Sequence, residues 1–321
     1  MSVSLEERRL GGLRWIVLSG PDREAFAALG EHARAELAAQ DEPWPMLTRL
    51  RQYTSAPPGQ RHLAAVRQAT AERHGEEWAE LAAFAAGAAV PFDDLALLNL
   101  RGDVGWTEGA MGCSDLAWRR DRSVIAHNED GALSDVGRCG LLTLTGNGRP
   151  PVTAFWYPGF LPANAFALTG DGLAWTIDHL PVAAPGPGAG RHFTGRGLQR
   201  TARTAGQVIA YLRDHPSAGG FSYMIGDHSG RVVNVEAAAG RTAVTEAAAD
   251  CPLLWHTNHA RYLPGDEPGG VRSDPGPDGQ GLTTVCTLVA DLTAGHATLA
   301  ARGQPPVTIP LADLAAGAAP R

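Results

Sequence analysis

The residues best equipped for chemistry lie in two short stretches, Met111-Gly112-Cys113-Ser114-Asp115 and His127-Asn128-Glu129-Asp130. A thiol directly after glycine can attack that glycine's carbonyl, because glycine tolerates backbone angles closed to other residues. Water resolving the resulting thioester would leave Cys113 as a new chain terminus. It would then carry a thiol nucleophile and its own α-amine, whose unperturbed pKa of roughly 7.7–8.0 suits proton transfer near neutral pH. Activation of a nucleophile by a terminal amine is an established arrangement. The blander reading of Gly112-Cys113 is a small buried cysteine on a strand. Against it stands the position of the pair, at the junction between a helix-rich and a strand-rich part of the chain.

Along a strand, His127 and Glu129 share one face while Asn128 and Asp130 share the other. Inward polar side chains are costly unless hydrogen-bonded, so this run reads as a site or as a structural network. Asp130, if close to Cys113, would orient its amine. His127 and Glu129 lack a third metal ligand at a recognisable spacing. In Trp255-His256-Thr257-Asn258-His259 the His-x-x-His spacing follows a strand instead of lying on a helix, which counts against a metal. Asn258, at the strand exit, suits an amide donor to an oxyanion; a turn residue bonding its own backbone is the alternative. Glu236 reads equally as structural or as substrate-facing. Cys139, Cys251 and Cys286 read as core or incidental. Neither a metal nor a cofactor is expected.

The elements that must position these residues change character at Cys113. Before it, residues 12–18 read as a strand, and helices follow around residues 22–37, 46–53 and 59–86, the last broken near His74-Gly75, with another after Pro91. After it, strands dominate: 113–118, 123–127, 141–145, 152–157, 165–169, 173–178, 221–226, 232–236 and 253–258, with a final hairpin over 283–300. One long helix is predicted from Thr194 to Asp214, a long loop over residues 262–281, and a frayed tail over 315–321. Consecutive hairpins interrupted by a helix predict an α+β sandwich of antiparallel sheets. No Gly-x-Gly-x-x-Gly follows a strand, and no phosphate-binding Gly-x-x-x-x-Gly-Lys is present.

Bulk properties agree with a globular protein. The 321 residues are 44% hydrophobic with a net charge of -7, enough to bury a sizeable core. An acidic chain without a Lys/Arg run is not expected to bind nucleic acid or an anionic membrane. No apolar run approaches the roughly 18 residues of a membrane span, and the first residues lack the apolar stretch of a signal peptide. Four cysteines without close pairing resemble a cytoplasmic thiol set more than a disulfide framework.

The order of these segments resembles the isopenicillin-N acyltransferase family of autoproteolytic N-terminal-nucleophile (Ntn) enzymes, relatives of penicillin V acylase and bile salt hydrolase. The resemblance spans nearly the whole chain. It includes Glu80–Ala88, Phe92–Asn99, Gly112-Cys113-Ser114, Asn128-Glu129-Asp130 and the helix from Thr194, then Phe221–Asp227, His256-Thr257-Asn258-His259, Thr284-Val285-Cys286 and Gly303-Gln304-Pro305. It implies a four-layer αββα sandwich with a helical N-terminal prelude. It also implies self-cleavage between Gly112 and Cys113, giving segments 1–112 and 113–321 of one domain. By position, Cys113 takes the place of the nucleophile, Asp130 that of the aspartate near the amine, and Asn258 that of the oxyanion asparagine.

Departures gather where substrate would lie. Glu129 stands in place of an aromatic residue, His127 in place of glutamine or arginine, and Thr176 and Asp178 where the family often has asparagine; no arginine before Thr283 clearly matches the family's late arginine. His127, Asn128, Glu129, Thr176 and Asp178 are therefore expected to support the site or bind substrate. The implied reaction hydrolyses or transfers an acyl group from a small-molecule amide or thioester through an S-acyl Cys113. Two other readings are open: an uncleaved papain-like hydrolase pairing Cys113 with His256 or His259, and a non-catalytic scaffold that binds a partner.

Overall fold

The computed structural model describes residues 2–38, 45–104, 112–146, 148–182, 185–263 and 282–318. The chain opens with β1 (Ser4–Leu10) and β2 (Leu13–Ser19), then α1 (Asp22–Ala38), α2 (Pro45–Ser55), α3 (Pro57–Arg73), α4 (Gly75–Ala88) and α5 (Phe92–Asn99). From Gly112 come β3 (Gly112–Arg119), β4 (Ser123–Ala132), β5 (Gly140–Thr145), β6 (Val152–Trp156), β7 (Asn164–Thr169) and β8 (Ala174–His179). After α6 (Arg191–Thr201) and α7 (Ala205–Asp214) follow β9 (Gly220–Gly226), β10 (Val232–Ala238), β11 (Arg241–Glu246) and β12 (Leu253–His256). The chain closes with β13 (Leu282–Asp291), β14 (His296–Ala301), β15 (Val307–Pro310) and α8 (Leu311–Ala316).

Two sheets result, ordered β1-β2-β5-β6-β7-β8-β9-β10-β11 and β12-β3-β4-β13-β14-β15. Every ladder is antiparallel except β2 with β5. The α+β sandwich of antiparallel sheets expected from the sequence is therefore what the chain adopts. Strand alternation explains the layering. On β8, Trp175 and Ile177 point to a core shared with α6 and α7, while Ala174 joins the core between the sheets. On β2, Ile16 and Leu18 pack with α1, α4 and α5, while Trp15 points to the inter-sheet core. All these helices thus lie against the nine-stranded sheet. The outer face of the six-stranded sheet leaves Leu116, Leu253, Trp255 and Val289 exposed, and the second helical layer of a four-layer sandwich is not found among the described residues.

Several elements differ from the sequence reading. The prelude carries a strand that was not expected, β1, which pairs with the expected strand β2 to form one edge of the nine-stranded sheet. The helix expected from Thr194 to Asp214 is two, broken at Ala202, with the Thr204 hydroxyl accepting from the Gln207 N–H to cap α7. The expected frayed tail is in part α8, whose Leu311, Leu314 and Ala315 are buried. Strand β4 runs through Ala132 instead of ending at His127. Most of the expected long loop, residues 264–281, lies outside the described residues.

Candidate active site

The β3–β4 ladder sets Gly112 opposite Asp130, Cys113 opposite Glu129 and Asp115 opposite His127. On the other side of β3, β12 sets His256 opposite Asp115. On the facing sheet, Asp178 of β8, Ser222 of β9 and Glu236 of β10 form one row. These side chains meet between the sheets, where β3, β4, β8 and β10 are otherwise largely apolar. The result is a buried polar chain in an oily layer, which survives only if its members are paired.

The pairing is nearly continuous. The Cys113 thiol lies 3.3 Å from Oε2 of Glu129. The same carboxylate accepts the Tyr157 hydroxyl at 2.5 Å and meets Nε2 of His127 at 3.1 Å. Nδ1 of His127 is 2.8 Å from Asp115 Oδ1 and 4.0 Å from Asp178 Oδ1. Asp178 Oδ2 in turn meets His256 Nδ1 at 3.2 Å, and His256 Nε2 meets Glu236 Oε1 at 3.0 Å. Glu236 closes the chain by accepting the backbone N–H groups of Arg261, Tyr262 and Leu263 at 2.5, 3.0 and 2.7 Å.

Burial and charge set the protonation states. Burial alone would lower His127, but Asp115 and Glu129 outweigh it and raise the imidazole to about 10. His256 follows the same pattern: burial lowers it, and Asp178 and Glu236 raise it to about 9. Both rings are thus cations near neutrality, donating from both nitrogens. Burial, reinforced by the Asp115 charge, pushes Asp178 up to about 7 against the pull of the two histidines. Burial tends to raise Glu236, yet His256 and the three backbone donors bring it below the usual carboxylate range. The Cys113 thiol is driven well above its ordinary value by burial first and then by the charges of Glu129 and Asp178. In the intact chain it is a thiol, not a thiolate.

The remaining expected residues divide by face. Asn258 reaches the backbone of Cys113: its Oδ1 accepts the Cys113 N–H at 2.8 Å, and its Nδ2 donates to the His179 carbonyl at 3.1 Å. Asp130 is half-buried on the opposite face of β4 from Glu129, accepting the Thr284 hydroxyl at 2.6 Å. Its Oδ2 is 3.1 Å from where a side-chain carbon on Gly112 would begin. Gly112 itself has ordinary strand geometry, so its role is to leave room beside Asp130 and not to supply the unusual backbone angles expected of it. Asn128 is on Asp130's face, donating to Ser114 Oγ and accepting from Thr287 Oγ1, away from the thiol. Thr176 is fully buried two residues from Asp178 on the inter-sheet face of β8, and its hydroxyl has no hydrogen-bond partner among the described residues.

Several members of the chain were not singled out from the sequence: Asp115, Tyr157 and, as part of a network, His256. The available signal was the pairing of polar residues two apart on strands, as in Cys113/Asp115, His127/Glu129 and Thr176/Asp178. The cross-sheet partnerships of Glu236 and Tyr157 had no such signal. Two trios could bring ligand atoms to a metal, Cys113/His127/Glu129 and Asp115/His127/Asp178, with donor atoms within 4.8 Å of one another. Both depend on His127, whose two ring nitrogens are already engaged by Asp115 and Glu129. The papain-like pairing is disfavoured. His256 spends both ring nitrogens on Asp178 and Glu236, while His259 Nδ1 is held by Thr257 at 2.7 Å.

A family model described as acyl-coenzyme A:6-aminopenicillanic acid acyl-transferase matches residues 118–276. The match begins just past Cys113 on β3 and takes in His127, Glu129, Asp130, Asp178 and Asn258. No curated protein matches the chain. Among solved structures, a variant of the conjugated bile acid hydrolase from Clostridium perfringens aligns at 11% identity and a TM-score of 0.41, covering 62% of this chain and 92% of that one. Penicillin V acylase from Agrobacterium tumefaciens aligns at 11% identity and a TM-score of 0.43, covering 63% and 88%. Over residues 118–276 the chain is thus similar to the acyl-coenzyme A:6-aminopenicillanic acid acyl-transferase family.

Proposed function

We propose that the protein is a self-processing cysteine amidohydrolase or acyltransferase that cuts its own chain between Gly112 and Cys113. Cys113 then handles an acyl group from a small-molecule amide or thioester as an S-acyl intermediate, passing it to water or to an amine. One observation carries the reading: Asn258 holds the nitrogen of the Gly112–Cys113 peptide bond at 2.8 Å, while Asp130 lines the position before it. The nitrogen of the bond to be cut is thus already engaged, and a carboxylate lies beside the residue that precedes it. In the processed enzyme the same nitrogen is the α-amine, and it takes the thiol proton when Cys113 attacks substrate. Nδ2 of Asn258 carries two hydrogens and His179 uses one, which leaves the second for an oxyanion.

The family's description names an acyl-coenzyme A and an amine acceptor, which supports acyl thioesters and amides of small-molecule size as donors. All four cysteines are free thiols, in keeping with action in the cytoplasm, and no described helix is long and apolar enough to cross a membrane. Denaturing mass spectrometry tests the processing step. A purified protein of 33.7 kDa throughout, without pieces divided before Cys113, removes it. Incubation with a panel of acyl amides and acyl thioesters, read as added mass on Cys113, tests the second step and identifies the acyl class.

A further inference from the structure

Self-cleavage has a requirement that later turnover does not. The amine that serves as base in the processed enzyme is still an amide nitrogen in the intact chain, with no basic lone pair. Some other group must take the Cys113 proton for the first cut. We infer that Glu129 is that group: a catalytic base for processing, resting on the reading of Gly112–Cys113 as the scissile bond.

Geometry selects it. Oε2 of Glu129 is 3.3 Å from the Cys113 sulfur, within reach for direct transfer. The alternatives on neighbouring strands are occupied or face away. His127 has one ring nitrogen on Glu129 and the other on Asp115. Asp130 points to the other face of β4, against Thr284. Asn258 has no basic atom. The Glu129 carboxylate is also held still, since Tyr157 fixes Oε1 at 2.5 Å and His127 fixes Oε2 at 3.1 Å. Such fixing keeps the base in place before the reaction and lowers the reorganisation it requires. Burial and neighbouring charge hold Cys113 as a thiol, so a base in contact is needed.

The step balances as follows. The thiol proton moves to Glu129 Oε2 as the sulfur bonds to the Gly112 carbonyl carbon. The carbon–nitrogen bond then breaks, and the proton held by Glu129 passes to the departing Cys113 nitrogen, making the free amine. Water adds to the thioester: one of its protons restores the thiol, the other passes to the new α-amine or to solvent, and the Gly112 carboxylate is released. Glu129 ends in its starting state.

The test is a processing time course of the full chain made by cell-free translation, with intact and cleaved masses read at intervals. The Glu129→Gln protein, matched in shape, is expected to process at least about 100-fold more slowly than the unaltered chain, the lower range for loss of a general base. Glu129→Asp is expected to fall between the two. If Glu129→Gln does not fold, judged by its melting curve, the comparison of Glu129→Asp with Glu129→Asn repeats the question at shorter side-chain length. In that pair, the carboxylate must process faster. Processing of Glu129→Gln within a few-fold of the unaltered chain overturns the role of Glu129 while leaving the cleavage reading intact. An unaltered chain that never cleaves overturns both.

Discussion

Asn258 and Cys113 are 145 positions apart, yet the side-chain Oδ1 of one accepts the backbone N–H of the other at 2.8 Å. An asparagine side chain on a backbone nitrogen inside a strand is unusual, because that N–H ordinarily belongs to the ladder. Cys113 sits at the start of β3, and the bond to Asn258 marks where the ladder hands its nitrogen to the site. Replacing Asn258 with Ala should leave that nitrogen unsatisfied, costing about 1–3 kcal/mol. It should also slow processing by about 100-fold through loss of an oxyanion donor. Urea midpoints and cleavage rates measured together separate the two effects.

The proposed nucleophile, Cys113, allows a sharper test. Cys113→Ala is expected to persist as one chain of 33.7 kDa and to accept no acyl group. A Cys113→Ala protein that still cleaves would move the scissile bond elsewhere.

Cleavage should not separate the pieces. Strand β2 of the prelude pairs with β5 across six residue positions. Buried Glu80 of α4 grips Arg196 of α6 at 2.8 and 2.9 Å, and the Leu161 N–H donates to Asn99 at 2.8 Å. All three tie residues before Gly112 to residues after it. The processed protein is expected to elute from gel filtration as one particle and to show two masses only in denaturant. Glu80→Ala strands the buried Arg196 charge and should destabilise the protein by about 3–5 kcal/mol.

The inter-sheet chain predicts how stability depends on pH. His127 and His256 are raised in the folded state to about 10 and about 9 from 6.5. Their contribution is complete below the unfolded value and is lost as pH rises through the folded values. Asp178, raised from 3.8 to about 7, adds a loss of the same sign over that lower interval. Glu236 runs the other way: its contribution is present above 4.5 and is lost as pH falls through its lowered value. The urea midpoint should therefore decline steadily from neutrality toward pH 10. A midpoint that stays level over that range counts against charged histidines between the sheets.

Alkylation reads out the state of the thiol. Cys251 is exposed, whereas Cys139 and Cys286 are buried and raised by that burial. In the intact chain of the slowly processing Glu129→Gln variant, taken before cleavage proceeds, iodoacetamide near neutral pH is expected to label Cys251 well before Cys113, Cys139 or Cys286. Peptide mapping by mass gives the order. Early labelling of Cys113 in that variant would mean that its thiol is ionised before the bond is cut.

Much of the architecture was legible along the chain. Alternating apolar residues marked β5 to β10, turn residues separated them, and the shift at Cys113 located the boundary where the site lies. Face assignment within His127-Asn128-Glu129-Asp130 was legible too, because strand side chains alternate regardless of what they meet. The resemblance of segment order carried the family. Elements whose stability comes from distant partners were hidden: β1 and β15 have mixed sequences that become strands by pairing, and α8 is short and held by the inter-sheet core.

The local sequence by itself determined which side chains could do chemistry and which of them share a strand face, since both depend on residue type and a period of two. Only the tertiary structure decided that Glu129 meets the thiol, that Tyr157 and His127 brace it, and that Asp178, His256 and Glu236 extend the chain across the gap. Those contacts join five strands from two sheets, with Tyr157 just past the end of a sixth. Their distances are set by sheet order and sheet packing, which no local pattern encodes. Gly112-Cys113 could be singled out from its neighbours, but the carboxylate beside its thiol had to be found in space.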